Sequence, residues 1–365
     1  MGVPTMAQAK TWVGLDVHAA KVVAALVDAD SGELRVQRLS GRTAEVTRFC
    51  AALPGPVRVS YEAGPTGFGL ARALEQAGVQ CLIAAPGKIA RPATDRVKTD
   101  RRDAELLVRL LIAGQLSAVR VPSPAEEALR DLIRAREDVR GDLMRARHRV
   151  AKQLLRHERR FEGNNWTQGH REWLADVELS EPVAQSVLLD AVGAVDALVV
   201  RREALEAQMT ALVPSSPWAE TVARLRCLRG LDTLSALGLC AEIGDFARFD
   251  RPARLMSFVG LVPSEHSSGA QRRQGAITKS GSEHARRLLV EAAWHYRRAP
   301  RKGRELARRQ AGQSQSVCAI SWEAQRRLHR TWRRLDSERG KRRTVVAVAV
   351  ARELTGFCWA VATAD

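Results

Sequence analysis

The sequence predicts an α/β domain at the N-terminus followed by a mainly helical remainder. Three observations carry this. Apolar runs of strand length, WVGLDV, KVVAALVDA, ELRVQRL, VRVSYE and QCLIAAP, crowd together before Gly87. From Ala125 onward the apolar spacing changes from two to three and four, the period of a helix. Positive charge gathers at the end: residues 271–365 hold 22 Lys or Arg against 8 Asp or Glu, which is +14 of the formal net +17.

The first three runs are separated by short turns, which makes consecutive antiparallel strands. Helical patterns at Ala44 to Leu53 and Phe68 to Gln76 then act as crossovers, so the later strands run parallel. Strand, strand, strand, helix, strand, helix, strand, helix is the order expected of an RNase H-like fold. In Thr11 to Val17, Val13, Leu15 and Val17 face one way while Gly14 and Asp16 face the other. Val57, Val59 and Tyr61 share a face and Glu62 takes the opposite one. Asp16 and Glu62 thus end strands that would bring them together if the two are parallel neighbours. Asp100 and Asp103 share a face at the start of the next helix, whose apolar side is Ala104, Leu106, Leu107, Leu110 and Leu111.

Desolvating a lone carboxylate costs several kcal/mol or neutralises it, so acids at the ends of buried strands need a positive partner. An all-oxygen cluster suits Mg²⁺ or Mn²⁺, and a pair of such ions clamps the attacking and leaving oxygens of a phosphoryl transfer. The plainer alternative is that Asp16 begins a turn before His18 and Asp100 pairs with Arg101 or Arg102.

Leu132, Val139, Leu143, Ala146 and Val150, with Arg136 interrupting, predict one long helix. Leu188, Val192, Val195, Leu198, Leu205, Met209 and Leu212 predict a second after a polar segment around Gly163 to Gly169. An antiparallel hairpin, or coiled coil, follows. Its Arg-rich flanks fit a dimer contact and a nucleic-acid contact, and packing within one subunit fits equally. From Leu225 to Ser268, leucines surround Gly230 and Gly238 ahead of the turn EIGDF, a pattern similar to helix-hairpin-helix elements that grip a phosphate backbone. SWEAQRRLHRTWRRL reads as a basic amphipathic helix. Its Trp322 and Trp332 are available for base stacking or for core packing.

Bulk properties agree. A chain of 365 residues with 45% hydrophobic content buries a sizeable core in about two or three domains. The C-terminal charge points to a polyanion, above all nucleic acid. Six cysteines show no zinc or CxxC spacing and read as reduced. The tail TVVAVAVARELTGFCWAVATA is interrupted by Arg352 and Glu353, and no signal-peptide core opens the chain, so the expected location is the cytoplasm, in association with the nucleoid, without membrane.

The order GLDVH, YEAGPTG, VKTDRRDA resembles the RuvC-like DEDD transposases of bacterial insertion sequences, the family numbered 110. The stretch from LRGLDTLSALGL to SGSEHARRLL is similar to the same family's C-terminal transposase domain, so the resemblance covers most of the chain. With the patterns above it gives four expected parts: a RuvC-like metal-binding domain (1–124), a helical hairpin (125–215), a mainly helical transposase domain (216–312) and a basic helical segment (313–365). It implies a metal site of Asp16, Glu62, Asp100 and Asp103, with Mg²⁺ or Mn²⁺ and no other cofactor. It also carries a nucleophile onto Ser268 in PSEHSSGAQRR, with Ser267 as the neighbour easily confused with it.

Guanidinium groups bind phosphate bidentately, which makes Arg272, Arg273, Arg286 and Arg287, with Lys279, candidate phosphate clamps. Implied partners are donor and target DNA, a structured noncoding guide RNA, and further copies of the chain in a homodimer or homotetramer. The implied reaction cuts and rejoins DNA through a serine phosphodiester. Two alternatives stand beside it: a metal-dependent hydrolytic endonuclease or junction resolvase without the serine, and a non-enzymatic nucleic-acid-binding protein.

Overall fold

The computed structural model describes residues 9–90, 99–268 and 271–365, with the side chains of residues 266–268 and 271–273 outside the description. The chain forms two units, residues 1–123 and 124–365.

In the first unit, β1 (Thr11–Val17), β2 (Lys21–Asp28), β3 (Leu34–Ser40), β4 (Val57–Glu62) and β5 (Gln80–Ala84) form one sheet in the order β3-β2-β1-β4-β5. β1 pairs antiparallel with β2 and parallel with β4, which is itself parallel to β5. The helices α1 (Thr43–Ala51) and α2 (Gly69–Gln76) make the two crossovers. Their Val46, Cys50, Leu70 and Leu74 pack on one face of the sheet with Val13, Leu15, Val59 and Tyr61. The other face receives α3 (Asp100–Ile112), whose Ala104 and Val108 join Val23 and Ala25. Gly14 permits this approach: a Cβ there would lie 2.3 Å from the carbonyl oxygen of Ala104 and 2.6 Å from the amide nitrogen of Val108. Since Gly14 and Asp16 point to the same side of β1, α3 covers the face from which Asp16 projects.

The second unit begins with α4 (Pro124–Arg156), α5 (Gln168–Asp176) and α6 (Pro182–Leu212). Arg136 pairs with Glu206 and Gln153 donates to the carbonyl of Ala184, so α4 and α6 run antiparallel. The Arg136 that interrupts the apolar stripe is neutralised by Glu206 across the hairpin, at 2.5 Å, and by its neighbour Glu137 on the same helix, at 2.6 Å. α5 was not expected from the sequence. Thr167 caps it, accepting from the His170 amide, in a segment whose polarity hides a one-sided burial of His170 and Leu174. α6 buries only Leu188, Val195 and Met209 below a tenth exposure, while Val183, Val187, Leu189 and Val200 stay exposed.

The rest of the unit is α7 (Ala219–Leu225), α8 (Thr233–Ile243), α9 (Pro252–Phe258), the hairpin β6 (Pro263–Ser268) with β7 (Gln271–Ile277), α10 (Glu283–Ala293), α11 (Arg304–Gln310), α12 (Gln315–Arg333) and α13 (Arg343–Ala362). One core joins Leu225, Leu237 and Leu289 to Val346, Val350 and Leu354. Gly230, at φ +87°, turns the chain between α7 and α8 where a Cβ would lie 2.6 Å from the Ala292 carbonyl oxygen. α6 and α13 are long and apolar enough to cross a membrane by length and composition. For α13 packing supplies the reason, because Val346, Ala347, Val350, Ala351, Leu354 and Cys358 line the core. Trp332 is buried against Trp294 at 5.3 Å between ring centroids, which removes it from base stacking; Trp322 is exposed.

Candidate active site

Asp16, at the end of β1, and Glu62, at the end of β4, sit on adjacent parallel strands: Leu15 lies beside Tyr61, and the two acids are the next residues along. Asp100 opens α3, whose N-cap Thr99 accepts from the amide of Arg102, and the buried Asp103 follows one turn later. All four acids therefore belong to the C-terminal ends of two central strands and the first turn of the helix laid across them. The tightest group is Asp16, His18 and Asp100, whose ligand atoms all lie within 4.8 Å of one another. Glu62 and Asp103 stand outside that group.

His18 and Lys21 were not anticipated here. The β1–β2 turn closes with the amide of His18 donating to the carbonyl of Lys21 at 3.0 Å, which folds both side chains back toward the strand end. His18 Nε2 lies 3.2 Å from Asp16 Oδ2 and 3.7 Å from Asp100 Oδ1; Lys21 Nζ lies 2.5 Å from Asp100 Oδ2. The only sequence signal was the Asp-Val-His spacing, which keeps His18 on the side of Asp16.

Burial pushes the Asp16 carboxyl above its ordinary range, and the charges of Asp103 and Asp100 push the same way against the opposing pull of His18. Lys21 holds Asp100 below the usual carboxylate range. These residues fit a divalent cation. A desolvated carboxylate with two like charges nearby is short of positive charge, and Lys21 already supplies one to Asp100. With His18 in the group the donor set becomes mixed rather than all-oxygen, which still admits Mg²⁺ or Mn²⁺ with water completing the shell.

Ser268 ends β6 opposite Gln271 in the antiparallel register. Its side chain, like those of Ser267, Arg272 and Arg273, lies outside the described residues. Lys279 is exposed just beyond β7, at φ +55°. Arg286 donates to the carbonyls of Val259, Ser280 and Gly281, and Arg287 pairs with Glu291 at 2.8 Å and with Glu137. Both guanidinium groups are thus engaged by the protein itself, and a phosphate reaching them would compete with these partners.

A strand-end acid cluster under a covering helix, in a chain whose remainder is mainly helical, is consistent with a DEDD-type transposase. The family model for the DEDD transposase of the IS110 group matches residues 13–158, a span containing Asp16, Glu62, Asp100 and Asp103. The model described as "Transposase IS116/IS110/IS902 family" matches residues 222–308, which contain Ser268. The transposase y4qE of Sinorhizobium fredii is 41% identical over 361 residues, covering 97% of this chain and 88% of that protein. The transposase for insertion sequence element IS1533 of Leptospira borgpetersenii is 32% identical over 340 residues, covering 91% and 98%. The chain belongs to the IS116/IS110/IS902 family of transposases, enzymes of insertion sequences that cut and rejoin DNA.

Proposed function

We propose that this transposase moves its insertion sequence through a serine phosphodiester formed at Ser268, with the scissile phosphate held at the acid cluster. The observation that carries the reading is the convergence of Asp16, His18 and Asp100 within 4.8 Å at the ends of the central strands. Asp16, Glu62, Asp100 and Asp103 would hold Mg²⁺ or Mn²⁺. Such an ion supplies charge neutralisation at the phosphoryl oxygens.

The chain's own chemistry is transesterification. Ser268 Oγ attacks phosphorus, one Oγ–P bond forms as one P–O bond to deoxyribose breaks, and the serine proton passes to solvent or to the departing hydroxyl. Bond energy is conserved, so the released hydroxyl of another strand can reverse the step and complete exchange. Arg272, Arg273 and Lys279 are placed by sequence around the serine and would bind the flanking phosphates; Arg286 and Arg287 would take part by exchanging protein partners for DNA.

The finer architecture belongs to the same proposal. The sheet order β3-β2-β1-β4-β5 with β2 antiparallel supports an RNase H-like, RuvC-like domain over 1–124. The antiparallel α4 and α6 support a hairpin over 125–215, ahead of a transposase domain (216–312) and a basic segment (313–365). Exposed Val183, Val187, Leu189 and Val200 along α6 support contact with a second copy, in a homodimer or homotetramer. A structured noncoding RNA would supply target choice by base pairing, held through shape and phosphate contacts by the basic C-terminal part.

The test is a strand-cleavage assay on donor and target DNA with co-purified RNA and Mg²⁺, comparing the wild type with Ser268→Ala and Asp16→Ala. Loss of cleavage and of a protein–DNA adduct in both variants supports the proposal. Cleavage that survives Ser268→Ala without an adduct means a hydrolytic nuclease instead.

A further inference from the structure

At the tip of the α4–α6 hairpin, in the second unit, a cavity of about 570 Å³ is lined by Phe161, Trp166, His170 and Trp173. The rings surround the imidazole: Phe161 lies 5.1 Å from it, edge-on, Trp166 5.2 Å, and Trp173 5.6 Å. Their placement is enforced. Arg147 lies over the Trp166 ring at 5.0 Å, and a Cβ on Gly163 would be 2.6 Å from the Phe161 ring. Trp166 itself sits at φ +66°, a conformation that costs a bulky residue energy and that surrounding structure must hold.

Two facts separate this cluster from ordinary core packing. First, the rings pack on one another, Phe161 and Trp173 at 5.5 Å, yet a cavity of about 570 Å³ is left beside them, where close packing would fill it. Second, His170 is 4% exposed and its Nδ1 has no hydrogen-bond partner among the described residues, although it lines the cavity. A buried polar nitrogen without a partner calls for a ligand that can pair with it. Burial and the charge of Arg171 lower the imidazole below its usual range, so near neutral pH it is uncharged and keeps one donor and one acceptor nitrogen.

The rim decides the class of ligand. Lys152, Arg159 and Arg160 are exposed and line the cavity; Arg159 donates to the carbonyl of Glu178, and among the described residues no ion pair involves Lys152 or Arg160. Aromatic faces, one neutral polar atom in the floor and a cationic mouth match a flat heteroaromatic ring joined to a phosphate.

We infer that the hairpin tip is a binding pocket for a single unpaired nucleotide of a nucleic-acid strand, its base laid against the cavity-lining edge of the Phe161, Trp166 and Trp173 cluster beside His170 and its phosphates at Lys152, Arg159 and Arg160. The pocket would recognise a bulged or looped-out base by stacking and one hydrogen bond, and exclude a base held in a duplex. This inference does not depend on Ser268 being the nucleophile.

The experiment titrates the full chain into RNA and DNA oligonucleotides carrying one bulged 2-aminopurine, beside the same strands with an abasic site at that position and with the 2-aminopurine fully paired. Expected are quenching of the bulged base on binding and roughly tenfold weaker binding of the abasic strand. Trp173→Leu lowers affinity by a similar factor and abolishes the quenching. Arg160→Gln, at an exposed position that folding tolerates, keeps the quenching at saturation and lowers the salt slope of log K by about one. Tighter binding of the RNA strand assigns the pocket to RNA, and equal or tighter DNA binding assigns it to a DNA strand; both support the site. An unquenched bulge at saturation overturns the inference, as does abasic or Trp173→Leu binding equal to wild type.

Discussion

Asp16 has its place because of Gly14, two residues earlier on the same face of β1. Any side chain at Gly14 meets the α3 backbone, and α3 carries Asp100 and Asp103. Gly14→Ala is therefore expected to lower the unfolding free energy by about 2–3 kcal/mol, read from denaturant unfolding followed in the first unit. Asp16→Asn has the opposite signature. It removes a half-desolvated charge set against Asp100 and Asp103, so without divalent cation the variant should melt at or above the wild-type temperature. Added Mn²⁺ at 100 times its dissociation constant should stabilise the wild type by about 2.7 kcal/mol and leave the variant unmoved. A wild-type melting temperature indifferent to Mg²⁺ and Mn²⁺ would count against the cluster as a metal site. The strand-end positions of Asp16 and Glu62 were legible in the sequence because a carboxylate ending an apolar alternation announces itself, and Asp100 and Asp103 through their spacing ahead of an apolar helix face. His18 and Lys21 were not, since their approach depends on the turn that closes β1 onto β2. Ser268 was named from family resemblance alone, because a serine at the end of a short polar strand carries no local signal.

Three helices of the second unit meet at one imidazole. His284 in the first turn of α10 lies 3.6 Å from Glu137 of α4 and 3.5 Å from Glu242 of α8. Burial opposes charge on His284, yet the two carboxylates raise its pKa above the ordinary 6.5. Burial likewise opposes charge on Glu137, but His284, Arg287 and Arg136 hold it down to about 2. The signs give opposite windows. The His284 contribution is complete below its ordinary value and is lost as pH rises through the raised one. The Glu137 contribution is complete above its ordinary 4.5 and is lost as pH falls toward 2. His284→Gln should therefore cost about 2 kcal/mol at pH 6 and distinctly less at pH 9, measured by denaturant unfolding at both values. Equal costs at the two values would refute a charged His284. At this scale the long helices and the sheet were readable from period alone. The hairpin of β6 and β7 was not: PSEHSS and QRRQGAI are mostly polar, and strands that bury little show no alternation. α5 escaped for the same reason.

Over the whole molecule, charge and apolar surface divide the work. The excess of +14 over residues 271–365 should make affinity for DNA or RNA fall steeply between 50 and 200 mM salt, by about 10³-fold or more if six or more phosphates are engaged, as read from binding isotherms. A flat salt profile would contradict the footprint. The α/β then helical plan was legible because hydrophobic period changes at Ala125 and the two units divide after Ser123. What burial does with the apolar residues was not: α13 spends them on the core while α6 leaves Val183, Val187 and Val200 outside. The covalent step is what separates a transposase of this kind from a hydrolytic nuclease. The most direct measurement is peptide mass spectrometry of the protein quenched during reaction with donor and target DNA, the co-purified RNA and Mg²⁺. The account predicts a nucleotide remnant on Ser268 in the wild type and none in Asp16→Ala. Cleaved DNA with unmodified Ser268, or a remnant on another residue, would contradict it.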